Sequence, residues 1–157
     1  MAWCVERLED GIDSVRRWRA GVIIAEEGDL RAVKRRWFGK RKSYLGVHLA
    51  GRLEHAWFPG DVCRLFYHQP FSTPDFLTLS YVVSGRDCRF ATFRRAVRVL
   101  DEIAELKGTW AIVCHLSNRR ISDRLLQRWG WTEHCLNMRG RHYIKRFSNG
   151  NVPSMGV

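Results

Sequence analysis

Between Asp75 and Trp131 the chain alternates two short apolar runs with two amphipathic ones, and this alternation restricts the fold more than any other feature. Phe76 to Val83 and Thr109 to Leu116 read as strands, and Arg89 to Lys107 and Arg119 to Trp129 read as helices. A strand, a long amphipathic helix and a second strand make a βαβ unit, whose strands are expected to be parallel neighbours. In such sheets ligands bind beyond the carboxyl ends of the strands, against the N-termini of the following helices. The expected site is therefore Val82 to Arg89 together with His115 to Arg120.

Along Phe76 to Val83, alternation puts Leu77, Leu79, Tyr81 and Val83 on one face and Phe76, Thr78, Ser80 and Val82 on the other. Apolar residues on both faces mark a central, covered strand. The long helix is expected to bury Phe93, Ala96, Val97, Leu100, Ile103 and Ala104 and to end at Gly108. Ser117 or Asn118 can cap the next helix, whose inner face is Ile121, Leu125 and Trp129 and which Gly130 terminates. Two final strands are expected at Trp131 to Met138 and Arg141 to Phe147, with a frayed tail from Ser148.

Upstream, Ala2 to Leu8 reads as a first strand, and Asp10 to Arg19 as a helix with Ile12, Val15 and Trp18 at helical spacing. Val22 to Ala25 is a short apolar run whose type the sequence leaves open. A second helix is expected from Asp29 to Phe38, with Leu30, Val33, Trp37 and Phe38 as its stripe and Gly39 as its end. Tyr44 to Leu49 and Arg52 to Phe58 read as a hairpin turning at Ala50-Gly51. Asp61 to Pro74 reads as a long, apolar connection able to pack as a wall beside the site.

The chain has 157 residues, a net charge of +11 and 45% hydrophobic residues. These values point to one folded domain over residues 1–147, with 148–157 as a flexible tail, and argue against disorder. The basic excess suits anionic partners such as nucleic acid, acidic proteins or a polyphosphate. Lys34 to Lys42 interleaves cations with Trp37 and Phe38, a pattern that can track a phosphate backbone while rings stack on bases. The competing reading packs both rings inward and leaves the cations solvated. The five cysteines are odd in number and form no CxxC pair. Cys114-His115 and His134-Cys135 would each offer one ligand, because adjacent strand residues face opposite ways. Neither a disulfide framework nor a metal site is expected. No apolar run approaches the roughly 20 residues that span a bilayer, and Met1 to Asp10 carries acids without an apolar core. A reduced, cytoplasmic protein with no membrane partner is the expectation.

The whole order is β, α, α, a β-hairpin, then β, α, β, α, β, β. It resembles the GNAT superfamily of acetyl-CoA-dependent N-acetyltransferases over residues 1 to about 147, with Asn118, Leu125-Leu126 and Gly130-Trp131 as the most specific local match. The resemblance implies an α/β (α+β) fold: a mixed central sheet of about seven strands flanked by about four helices. It also implies an acyl-CoA-dependent N-acyltransferase, with acetyl-CoA as acyl donor and an amine as acceptor. The family cradles the coenzyme A pyrophosphate on an Arg/Gln-x-x-Gly-x-Gly/Ala turn. Here those glycines fall near Ala91 and Phe93. The place of the family's thiolate-protonating tyrosine is held by Leu126, which cannot donate a proton.

The cofactor-binding candidates are Val82, Val83, Gly85, Arg86, Arg89, Ala91 and Asn118. Free N–H groups at a helix start favour phosphate, Gly85 gives the turn latitude, and Arg86 and Arg89 add charge. Val82 and Val83 N–H groups are the candidates for polarising a thioester carbonyl. The catalytic candidates are His115, Glu54 and Tyr81. An imidazole with an ordinary pKa near about 6.5 suits a general base for an amine. The alternative function is a catalytically degenerate GNAT-like module that binds nucleic acid or an acidic protein through its basic surface.

Overall fold

The structure is a computed structural model that describes residues 3–36, 59–116, 121–134 and 140–147. Among these residues one mixed sheet of eight strands carries the fold, in the order β1-β3-β2-β4-β5-β6-β8-β7. Its strands are β1 (Cys4–Val5), β2 (Ala20–Glu26), β3 (Asp29–Arg35), β4 (Val62–His68), β5 (Phe76–Ser84), β6 (Ala111–Leu116), β7 (Trp131–Glu133) and β8 (Arg141–Arg146). The α-helices are α1 (Ile12–Arg17), α2 (Phe90–Lys107) and α3 (Asp123–Arg128), and a 3-10 turn at Leu8–Gly11 leads into α1. The chain is thus mixed α and β as expected, but with eight strands and three α-helices among the described residues instead of seven and four.

The expected βαβ unit is present, and β5 and β6 are its parallel pair. Every other pairing in the sheet is antiparallel. Helix α2 packs on β2, β3 and β4. Its buried stripe of Ala96, Val97, Leu100, Ile103 and Ala104 joins Ile23, Val33, Cys63, Leu65, Tyr67, Leu77, Leu79, Ile112 and Cys114 in one core. Those sheet residues define the helical face. Gly108, in the left-handed region at φ 66°, ends α2 with its N–H bonded back to the last turn.

The upstream half differs most from expectation. Asp29 to Phe38 is not a helix: Asp29–Arg35 is β3, and residues 37 and 38 lie outside the described set. The cause is the Glu27-Gly28 turn. Both residues have positive φ, 52° and 85°, which is the two-residue hairpin geometry whose twist suits flanking strands. It folds Asp29 back beside Glu26 and pairs Val33 with Ile23. The open Val22 to Ala25 run becomes the middle of β2. The supposed connection from Asp61 is half strand, because Cys63, Leu65 and Tyr67 alternate inward as β4. The first strand shrinks to Cys4–Val5, and the first helix to α1, where Val15 is buried and Ile12 exposed, with Trp18 buried just past its end. Ser122, not Ser117 or Asn118, caps α3 by accepting the Leu125 N–H at 3.2 Å. The hairpin at 44–58 and the tail from 148 lie outside the described residues.

Gly21 is needed for a close approach. A Cβ there would stand 2.6 Å from the Tyr67 hydroxyl and 2.7 Å from its ring, and Tyr67 is fully buried in β4. Gly21→Ala is expected to cost upwards of about 1 kcal/mol through overpacking, read as a lower urea midpoint at unchanged slope. An unchanged midpoint would show that the β2–β4 packing yields there.

Candidate functional site

The parallel junction is short. Phe76 to Leu79 pair with Ala111 to Cys114, and pairing stops there although β5 runs on to Ser84 and β6 to Leu116. The cause lies on the other edge of β5. The β4–β5 register shifts between Phe66 and Tyr67, so Tyr67 faces Leu79, Phe66 faces Tyr81, and Ser80 is the extra residue of a bulge. A bulge bends its strand and increases its twist, which carries β5 away from β6 at this point.

The bulge also overturns the expected face assignment. Directly opposed residues in an antiparallel pair share a face. Leu79 is on the helical face with Tyr67, whereas Tyr81 is on the second face with Phe66 and Val83 follows Arg64 there. Leu77, Leu79, Tyr81 and Val83 therefore do not form one stripe. Val82, opposite Leu65, is the residue turned back to the core.

Backbone direction is fixed by the same ladder. The Gly85 N–H donates to the Val62 carbonyl at 2.8 Å, so Gly85, Val83 and Tyr81 address β4. Val82 and Ser84 point their N–H groups the other way, to the side where β6 has parted. Of the two carbonyl-polarising candidates, Val82 has the required direction and Val83 does not.

His115 lies on β6 past the last parallel pair, on the second face, directly opposite His142 of β8. The two imidazoles stack at 4.4 Å with planes 9° apart. Gly140, with φ at 101°, passes against the His115 ring, and a Cβ there would overlap His115 Nε2. Tyr81 is on the same face, stacked on Phe66 at 4.1 Å, and its hydroxyl accepts from Arg36 at 3.1 Å. The Arg36 guanidinium lies over the Phe66 ring at 4.8 Å. His68 bonds the Ser80 hydroxyl at 2.8 Å, and burial lowers its pKa. Tyr81 and His115 thus share a sheet face across the parted strands. Glu54 and Asn118, and with them Ser117, Arg119 and Arg120, lie outside the described residues.

The turn before α2 is held by Asp61. Its carboxylate accepts the Arg89 N–H and the Arg89 Nε–H, each at 2.7 Å. Burial alone would raise this carboxyl; the Arg89 N–H, the Thr92 hydroxyl and the Arg89 guanidinium outweigh it and hold the pKa below the usual carboxylate range. The Thr92 and Phe93 N–H groups turn back to the Arg89 carbonyl. That leaves Phe90 and Ala91 as the outward donors of the first turn. Gly85 is buried within the turn and Arg86 is exposed beside it. Arg89, expected to meet phosphate, instead meets a carboxylate of its own chain.

Aromatic rings cover the adjoining flank. Phe90 and Phe93 lie 5.5 and 5.7 Å from Trp129 at the end of α3. Leu126, in the place the resemblance gives to a proton donor, is buried and apolar. Sequence reasoning missed a polar cluster close by, in which Asp123 accepts from the Arg141 guanidinium and from the Tyr143 hydroxyl. Arg141 also donates to the Ile121 carbonyl at 2.8 Å, so the cluster pins the start of α3 to β8. Only the spatial approach of α3 to β8 reveals it.

Among the described residues, no group of three or more His, Cys, Asp or Glu is placed to hold a metal, and no helix is long and apolar enough to cross a membrane. No protein-family model matches this chain, and no curated protein matches it.

Proposed function

We propose that the chain is an acyl-CoA-dependent N-acyltransferase acting on an amine, with acetyl-CoA as the acyl donor. The observation that supports this reading best is the parted parallel pair. β5 leaves β6 at a bulge, and the Val82 N–H points to the side where the strands separate, with His115 on the neighbouring strand. In this reading the amine nitrogen attacks the thioester carbon while the Val82 N–H stabilises the developing oxyanion. The carbon–sulfur bond then breaks, and the thiolate leaves. His115 takes the proton released by the amine and is the group able to pass one to the leaving sulfur, a task Leu126 cannot perform. Phe90 and Ala91 N–H groups and Arg86 are the donors for the cofactor's phosphates. Tyr81, tied to Arg36, serves as part of the acceptor wall. Isothermal titration with acetyl-CoA is expected to give a saturable heat. The absence of both heat and thermal shift at millimolar ligand would defeat the proposal.

A second reading has its own observation. The Asp61 carboxylate already sits at the α2 start, while Lys34, Arg36 and Arg64 share the second sheet face with the Phe66 and Tyr81 rings. Cations among stacked rings suit a nucleic acid or an acidic protein. A module of this kind would bind in a salt-sensitive way and weaken when Arg35, Arg36, Lys40, Arg41 and Lys42 are neutralised. Binding indifferent to both changes would exclude it.

A further inference from the structure

The sign of charge on the second sheet face bears on the acceptor, an inference that rests on the acyl-transfer reading. Beside Tyr81, the residue before the Val82 N–H, this face carries cations. Arg36 is half-buried, donates to the Tyr81 hydroxyl at 3.1 Å, and lays its guanidinium over the Phe66 and Tyr81 rings at 4.8 and 5.9 Å. Tyr81 is itself stacked on Phe66 at 4.1 Å, with planes 15° apart. Register puts Arg64 opposite Val83, two residues from Phe66 on the same face, and Lys34 across Val22 from Phe66. Among the described strand residues, the carboxylates on this face are Glu26 and Asp29, which stand away from Tyr81 at the β2–β3 turn. Glu26 faces Val62, four residues along β4 from Phe66, and is paired with Arg31 at 3.3 Å.

We infer that the acceptor is a small amine carrying its own anionic group, a carboxylate or a phosphate, which Arg36 holds while the amine reaches the reacting centre. The guanidinium is suited to this task. Two rings and one hydroxyl fix its plane, and a guanidinium carries five N–H donors in a rigid fork, of which the Tyr81 bond takes one. A carboxylate or a phosphate matches that fork with two parallel hydrogen bonds. An acceptor whose only charges are ammonium groups meets like charge here instead. A guanidinium is ionised at any working pH, so that repulsion cannot be titrated away. The same cations therefore select against polyamines as well as for anionic amines. In the transfer, the deprotonated amine nitrogen bonds to the acetyl carbon and the carbon–sulfur bond breaks. The nitrogen's remaining surplus proton passes to His115, and coenzyme A leaves as its thiolate. The product keeps its anionic group and loses its ammonium charge.

The test gives the whole chain radiolabelled acetyl-CoA with separate acceptor pools: the L-amino acids, O-phosphoethanolamine, the L-amino-acid amides, and spermidine. Label is expected in the amino acids if the anchor is a carboxylate and in O-phosphoethanolamine if it is a phosphate. For the acceptor labelled fastest, Arg36→Gln should raise KM about tenfold and lower kcat less, because the lost contact is made equally before and in the transition state. Arg36→Lys, which keeps the charge without the fork, should recover part of that loss. Two results on the unaltered protein overturn the inference, whatever the folding of the variants. One is labelling of the amides or spermidine that equals or exceeds labelling of the anionic amines. The other is a protein that gives a heat with acetyl-CoA and labels none of the pools. A protein that gives no heat with acetyl-CoA removes the acyl-transfer reading itself, and this inference with it.

Discussion

Lys145→Met is expected to destabilise the protein by about 1–3 kcal/mol, the loss typical when a partly buried charged group is left without its hydrogen-bond partner. Lys145 Nζ donates to Asp101 Oδ2 at 2.5 Å, and the two side chains are 18% and 21% exposed. The pair joins β8 to the buried side of α2. Asp101 Oδ1 is buried without a hydrogen-bond partner among the described residues, so the Lys145 contact carries most of the compensation for this carboxylate. Burial pushes the Asp101 pKa up, Lys145 draws it down, and Glu105 and Glu102 add to the rise, with a raised value as the balance. A carboxyl raised in the folded state binds more protons there than in the unfolded chain. Its stabilisation is complete below the unfolded value near about 3.9 and is lost as pH rises through the folded value. Without Lys145 the folded value climbs further and the loss grows. The deficit of Lys145→Met should therefore be larger at about pH 8 than at about pH 5, measured by urea unfolding at each. Asp101→Leu combined with Lys145→Met should recover most of the stability, because neither charge is then stranded. An equal deficit at both pH values would mean that Asp101 is not buried as a charge.

The βαβ unit was legible because its period changes cleanly from two to 3.6 and back, and Gly108 marks the helix end. The upstream strands were not, for a physical reason. Leu30, Val33 and Trp37 fit a helical spacing, and what overrides them is a two-residue turn at Glu27-Gly28 that pairs Val33 with Ile23. A Glu-Gly pair is a weaker turn signal than Asn-Gly, and the competing apolar stripe hides it. β4 was hidden similarly, since Arg64, Phe66 and His68 on its second face leave the alternation of Cys63, Leu65 and Tyr67 too mixed to stand out. The site shows the same division. The place expected for it, beyond the β5 and β6 ends, follows from chain order alone. Which valine offers its N–H, and which face Tyr81 occupies, depends on the Ser80 bulge, and a one-residue insertion leaves no signature in a strand already apolar on both faces. Asp61 is 28 residues from Arg89, so its hold on the turn is visible only once β4 lies beside β5.

Asp61→Asn is expected to bind anions at the α2 start about tenfold more tightly, from relief of one negative charge near the helix's positive end. The substitution isolates charge from geometry. An Asn oxygen can still accept the Arg89 N–H, so that bond is kept. Asp61→Ala removes the acceptor as well and should cost about 1–2 kcal/mol, the usual loss when a hydrogen bond to a charged group is deleted. The ion pair with Arg89 adds little, because Arg89 is 65% exposed. The depressed Asp61 pKa gives the sign of the pH effect: its contribution is present above the unfolded value near about 3.9 and fades as pH falls through the folded value. Loss of that acid-side dependence in Asp61→Asn would identify the carboxylate as its source. The affinity arm uses coenzyme A and inorganic pyrophosphate as separate probes. If the α2 start receives a cofactor's phosphates, the Arg89 guanidinium released from its ion pair with Asp61 should tighten both probes. Under the binding-module reading the same change should leave coenzyme A unbound, with pyrophosphate bound only weakly and screened by salt. Unchanged affinity for both probes would show that Asp61 does not compete for a ligand's place, and that the turn before α2 is a structural clamp.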